Sequence, residues 1–256
     1  MRFLRLHLLI FSVLVGIGGI LLASERTHRQ SSEREGQWMR PALTVWELRS
    51  SREPRGAAPE IPPAINLPVP FTSQAPHGNW KMPYQEACEE AALLMALRYA
   101  EGKPIFSQED ANQAILQFVE RNREVLGDAI DESVAEGETL LSEVNPKVPV
   151  HLLFDPTVSA LQQELARGNA IIVPAAGAAL QNPHFRRPWP RYHMLVLRGY
   201  TEDGHFIANE PGTKEGEGYR YSFATIMDAL HDWVPLERDI EEGGKVVLVV
   251  EPLQER

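Results

Sequence analysis

The chain of 256 residues contains one cysteine, Cys88. A lone cysteine closes no internal disulfide and supplies no cysteine-rich zinc site. Basic charge is also short: 25 Lys and Arg stand against 35 Asp and Glu, a net charge of −10. Without a basic face the chain is a poor candidate for nucleic acid. No His-Glu-x-x-His and no paired-cysteine spacing occurs, which argues against a metalloenzyme. No cofactor and no metal are expected. No internal repeat at solenoid periods is present. What is there, 43% apolar and 23% charged residues, is the composition of a soluble globular domain with a real core.

The first 23 residues differ from the rest. Arg2 and Arg5 precede an uncharged run, Leu8 to Ala23, rich in Leu, Ile and Val. This reads as a signal peptide or a membrane anchor. The weak cleavage signature at Leu21-Leu22-Ala23-Ser24 favours the anchor. The "GIGG" inside it has no preceding strand and no polar helix start, so it is no phosphate loop. Residues 24–65 read as a stalk, polar from Ser24 to Trp38 and proline-rich from Arg52 to Pro68. The stretch Met39 to Ser50 fits a short strand or an interaction segment. The folded domain is expected over 66–256, membrane-anchored or secreted, on the extracytoplasmic side.

Periodicity and punctuation then order the elements. A helix, apolar on most faces and therefore central, is expected from Glu86 to Ala100, closed by Gly102. Ser107 caps a second helix. Residues 128–147, rich in Asp and Glu, read as surface helix and loop, a solvated insert. Asp155 is the expected cap of a helix that stops at Gly168. "AIIVPA" reads as a buried strand, and "YHMLVLRGYTEDGHFIANEPG" as a hairpin. Ser222 caps a last helix and "KVVLVVE" is a closing strand. Helices in the first half and a mostly antiparallel sheet in the second make an α+β layout.

Cys88 falls in the first turn of the central helix. Free N–H groups and the helix dipole favour a thiolate there. Glu86, Glu89 and Glu90 would raise the thiol pKa if they faced it. The helical twist is expected to carry Glu89 and Glu90 away. A small buried filler, an intermolecular bridge and a reactive thiol are the competing readings of Cys88. A cysteine nucleophile needs a base and a third group to orient it. Among eight histidines, His193 stands out because it opens a strand. Centring the hairpin at Glu202-Asp203 sets Leu195 opposite Glu210, on the His193 face. A one-residue slip would put Asn209 there instead.

The segments "VPFTSQAP…W…PYQEACEEAALLM" and "YHMLVLRGY…FIANEPGT…EGYRY" resemble the peptidase-family-thirty-nine-like cysteine peptidases. These are relatives of the bacteriocin-processing proteases that cut after a double glycine. The resemblance runs from about Asn66 to Glu251. It implies a papain-like fold, with Cys88 as nucleophile and His193 as base. The family's orienting acid is usually the Asp of an Asn-Asp-Pro-Gly motif, which here reads Asn209-Glu210-Pro211-Gly212. Either Glu210 or Asn209 takes that place. The oxyanion-stabilising Gln of the family matches Gln74, with Gln85 as rival.

Three functions follow as expectations. The first is an extracytoplasmic thiol peptidase acting on a peptide or protein substrate and tied to the membrane by its N-terminal segment. The second is an amidase or transpeptidase acting on cell-wall peptides. The third is a non-catalytic peptide-binding module on a stalk. Trp80 and Tyr84 fit a cleft lining or core packing. "RRPWPR" (Arg186 to Arg191) fits a grip on an acidic substrate or a solvated loop. "EGEGYRY" reads as a tight turn.

Overall fold

A computed structural model describes residues 61–105, 107–127, 131–236 and 238–254. They belong to a compact unit spanning Ala58–Arg256. The leader over 1–23, the segment Met39 to Ser50 and the stalk up to residue 60 lie outside the described residues. Among those described, no helix is long and apolar enough to cross a membrane.

The first half is helical, as the sequence predicts. Helix α1 (Cys88–Ala100) follows a 3-10 turn at Tyr84–Glu86. Its Ala, Leu and Met residues bury nearly every face, so it sits between the sheet and the other helices. Helix α2 (Gln108–Leu126) starts where Ser107 accepts a bond from the Asp110 N–H, and it buries Ala111, Ala114, Ile115 and Phe118 on one stripe. The acidic stretch after it holds the expected helix but is not a solvated insert. It forms α3 (Val134–Val144), opened by a Ser133–Glu136 capping box and packed inward through Val134, Leu140 and Leu141. Its few apolar residues fall at helical spacing, which the acidic composition hides.

Strand β1 (Ile65–Asn66) precedes α1. Strand β2 (Val150–Phe154) follows α3. Helix α4 (Val158–Ala166) is capped by Thr157, which accepts from the Ala160 N–H; Asp155, the expected cap, stands two residues upstream at φ 45°. Then come β3 (Ala170–Ala176), β4 (Tyr192–Tyr200), β5 (His205–Asn209), β6 (Tyr219–Ser222), α5 (Phe223–Ala229) and β7 (Val246–Val250). The Tyr219-Arg220-Tyr221 run, expected as part of a turn, continues into β6.

All pairings are antiparallel, in the order β2-β7-β3-β4-β5-β6, with β1 beside the end of β4. The last connector residues already belong to the fold, because the Tyr200 hydroxyl donates to the Pro62 carbonyl at 2.7 Å. β3 and β7 are buried along their whole length, as strands covered on both faces are. Helix α1 lies against β4 and β3. The result is the expected α+β arrangement: a central helix that begins at Cys88, packed on an antiparallel sheet.

The β4–β5 register places the site. Val196 faces Asn209 and Leu197 faces Ala208, as the hairpin count predicts. Beyond Arg198 the register shifts by one, so that Gly199 faces Ile207. This bulge absorbs one residue on β4. Carrying the outer register inward without it would have put Asn209, not Glu210, on the His193 face.

Candidate active site

His193, second residue of β4, is 2% exposed. Its Nε2 lies 2.5 Å from Glu210 Oε1. Glu210 is fully buried. Its Oε1 also accepts from the Gly212 N–H at 2.8 Å, and its Oε2 accepts from the Tyr221 hydroxyl at 3.0 Å. Tyr221 in turn accepts from Asn182 Nδ2 at 2.7 Å. The edge of Phe185 packs on the imidazole at 5.1 Å between centroids. Gly212 is required by space: a Cβ there would stand 2.8 Å from Phe185, 3.0 Å from Glu210 Oε1 and 3.1 Å from His193. The extra methylene of Glu relative to Asp is thus taken up by a fully bonded pocket. Since Nε2 points to Glu210, Nδ1 is the ring nitrogen left for chemistry.

Asn209 points the other way. Its Nδ2 donates to the carbonyls of Val69 and Pro70, and its Oδ1 accepts from Arg198 and the Gly218 N–H. It pins the segment leading to α1 onto the sheet and has no bond to His193. Gln74 is buried, and its Nε2 donates to the carbonyls of Tyr84 and Gln85, both at 3.0 Å. It holds the turn that delivers Cys88. Gln85 is exposed and donates to Glu86 at 2.7 Å.

Cys88 is a free, buried thiol. The residue before α1, Ala87, supplies no side-chain cap. The backbone N–H of Met194, the residue after His193 on β4, favours the thiolate. Other influences push the thiol well above its ordinary value, burial first, then the charge and hydrogen bond of Glu89. Cys88 Sγ is 3.0 Å from Glu89 Oε2. The helical twist therefore does not carry Glu89 away. Glu89 and Glu90 are 1% and 6% exposed.

A patch of buried acid extends from there. Asn122 Nδ2 donates to Glu90 Oε1 at 3.4 Å and to Glu132 Oε1 in a very short contact. Glu89 Oε1, Glu90 Oε2 and Glu132 Oε2 are buried without a hydrogen-bond partner. Burial is the largest cause in each case: it pushes Glu90 to about 7 and Glu132 to about 8, and raises Glu89 well above the carboxylate range. Sequence reasoning anticipated neither this patch nor the Tyr221–Asn182 support. For the patch the signal was present: two consecutive acids in a helix that is otherwise apolar all round.

Cys88 and His193 open into one cavity of about 1030 Å³ that also touches Gln74, Gln85 and Trp80. Tyr84 is turned from it and donates to Asn112 Oδ1 at 2.6 Å. Of the "RRPWPR" loop, Arg186 stacks over Trp80 at 5.8 Å and Arg187 over Trp189 at 4.6 Å, both on the cavity wall. Arg191 is spent on the carbonyls of Val234, Pro235 and Arg238. No group of His, Cys, Asp and Glu among the described residues is placed to hold a metal ion.

No curated protein sequence matches the chain. Among solved structures, a protein from Bacillus anthracis described as C39-like peptidase aligns with 13% identity and a TM-score of 0.49, covering 75% of this chain and 99% of its own. The model of the Peptidase_C39 like family matches residues 66–239, a span that includes Cys88, His193 and the Asn209-Glu210-Pro211-Gly212 motif. The chain belongs to the Peptidase_C39 like family.

Proposed function

We propose that the protein is a thiol peptidase that hydrolyses peptide bonds through Cys88, His193 and Glu210. The observation that carries this reading is the bond from His193 Nε2 to Glu210, on the strand whose next N–H favours the Cys88 thiolate. Cys88 gives its proton to His193 Nδ1, and the thiolate attacks the substrate carbonyl. The imidazolium then protonates the leaving amine, and water releases the acyl-enzyme. Glu210 fixes the imidazole tautomer and stabilises its charged form. The Cys88 N–H is one oxyanion donor. Gln74 is the second, once substrate displaces its bond to the Gln85 carbonyl. Arg186 and Arg187, stacked on tryptophans at the wall, favour acidic residues on that side of the substrate. The basic, apolar leader over residues 1–23 supports an anchored or exported domain acting outside the cytoplasm.

A second reading has its own observation. The thiol bonded to Glu89 and held protonated by burial fits a non-catalytic peptide-binding cleft. Iodoacetamide alkylation of Cys88 against pH, in wild type and His193→Ala, separates the two. The peptidase predicts rapid labelling below neutral pH that collapses in the variant, together with cleavage of quenched-fluorescent peptides that Cys88→Ala abolishes. Ordinary thiol labelling in both proteins, with no cleavage, leaves the binding cleft.

A further inference from the structure

The mechanism above makes no use of Glu89, although its carboxyl touches the reacting sulfur. Two negative charges 3.0 Å apart in a buried site cannot both form. Either the thiol stays neutral or the carboxyl does. We propose that Glu89 is a positioning residue for the peptidase reaction: in its protonated form its O–H donates to the Cys88 thiolate, and loss of that proton switches the nucleophile off. The proposal rests on the peptidase reading and adds to it the pH range in which the nucleophile exists.

The surroundings of Glu89 decide which group is neutral. On its own helix it faces Cys88 and Glu90. From the loop before α3 it faces Asp131 and Glu132, and from β4 it faces Tyr192. The Tyr192 hydroxyl does not serve Glu89, because it donates to the Glu132 carbonyl at 2.8 Å and to Asp232 at 3.3 Å. Asn122 serves Glu90 and Glu132. No Lys or Arg among the described residues bonds Glu89, and its Oε1 has no partner. Such a carboxyl holds its proton. Burial, then Glu90, raise it well above the usual range.

One contact then works in both senses. With Glu89 ionised, Oε2 accepts from the thiol and opposes its ionisation. With Glu89 protonated, the same oxygen donates to the thiolate. In the active form the Cys88 S–H bond breaks, its proton moves to His193 Nδ1, and Glu89 keeps its own proton. As pH rises Glu89 loses that proton to water, and the sulfur reclaims one from the imidazolium. The Met194 N–H and the start of α1 add to the stabilisation of the thiolate but do not titrate.

The test is the rate of iodoacetamide alkylation of Cys88 in the full chain across pH, for wild type, Glu89→Gln and Glu89→Ala, with His193→Ala alongside. Gln donates a hydrogen bond at every pH, and Ala donates none. Wild-type labelling is expected to fall by about tenfold as pH climbs through the range in which Glu89 loses its proton, one unit of thiol pKa being tenfold. Glu89→Gln should match wild type at acid pH and lose the fall. Glu89→Ala should label about tenfold more slowly at acid pH. If Glu89→Ala fails to fold, the presence or absence of the alkaline fall in Glu89→Gln decides by itself. Identical profiles for wild type and Glu89→Gln overturn the role of Glu89. Insensitivity of wild-type labelling to His193→Ala overturns the peptidase reading instead.

Discussion

The two walls of the cleft are built on opposite principles. On the His193 side each polar atom of Glu210 has a donor: Nε2–H and the Gly212 N–H on one oxygen, Tyr221 on the other. On the Cys88 side three carboxylates, those of Glu89, Glu90 and Glu132, each leave one oxygen buried and unpartnered. A satisfied network fixes one geometry, whereas an unsatisfied one holds protons and resists ionisation. In the proposed mechanism the His193 wall sets direction, and the Cys88 wall sets the protonation state at which the thiol reacts.

The largest effect that tests this contrast is at Glu210. Glu210→Gln keeps the shape but replaces one acceptor by an NH₂ group, so the His193 Nε2–H, the Gly212 N–H and the Tyr221 hydroxyl cannot all be received. Peptide hydrolysis is expected to drop about 100- to 10,000-fold in kcat/KM. Gln in place of Glu at 210 with undiminished turnover would break the claim that the bonded wall orients the base. Asn209→Ala is the matched control. It strips two carbonyls and Arg198 of partners at a cost of about 2–3 kcal/mol, read by urea unfolding, while the alkylation profile of Cys88 keeps its shape. A lost alkylation profile with intact stability would move the orienting role to Asn209.

The division between the walls also explains what the sequence revealed. Cys88 and His193 could be read because each opens a regular element, and the order of elements follows from caps and periodicity. Glu210 could be read only as one of two, since parity across the hairpin depends on register. The bulge at Arg198 sets that register, and it reflects packing of β1 against Gly199 rather than a local motif. The acidic stretch 128–147 read as solvent-facing because composition reports average exposure, whereas Glu132 is 1% exposed through tertiary packing. Tyr221, backed by Asn182, meets Glu210 only after β6 pairs with β5, a contact between elements that no spacing announces.

A smaller and pH-dependent effect tests the strained wall without touching the nucleophile. Glu132 is pushed from 4.5 to about 8 by burial, then by Glu90 and Glu136. Between those values the native state holds a proton that the unfolded chain releases. The native carboxyl thus contributes most below about pH 4.5, and stability declines as pH rises toward about 8, where the folded group also ionises. Glu132→Gln removes that titration while its amide oxygen still accepts from Asn122. The variant should match wild type near about pH 4 and exceed it by about 1–3 kcal/mol at about pH 8.5, seen as a rising difference in urea midpoint. A difference that stays flat with pH would show that the buried acids are ionised and paired at all pH values. The thiol would then sit beside a permanent charge, and the contrast between the two walls would fail.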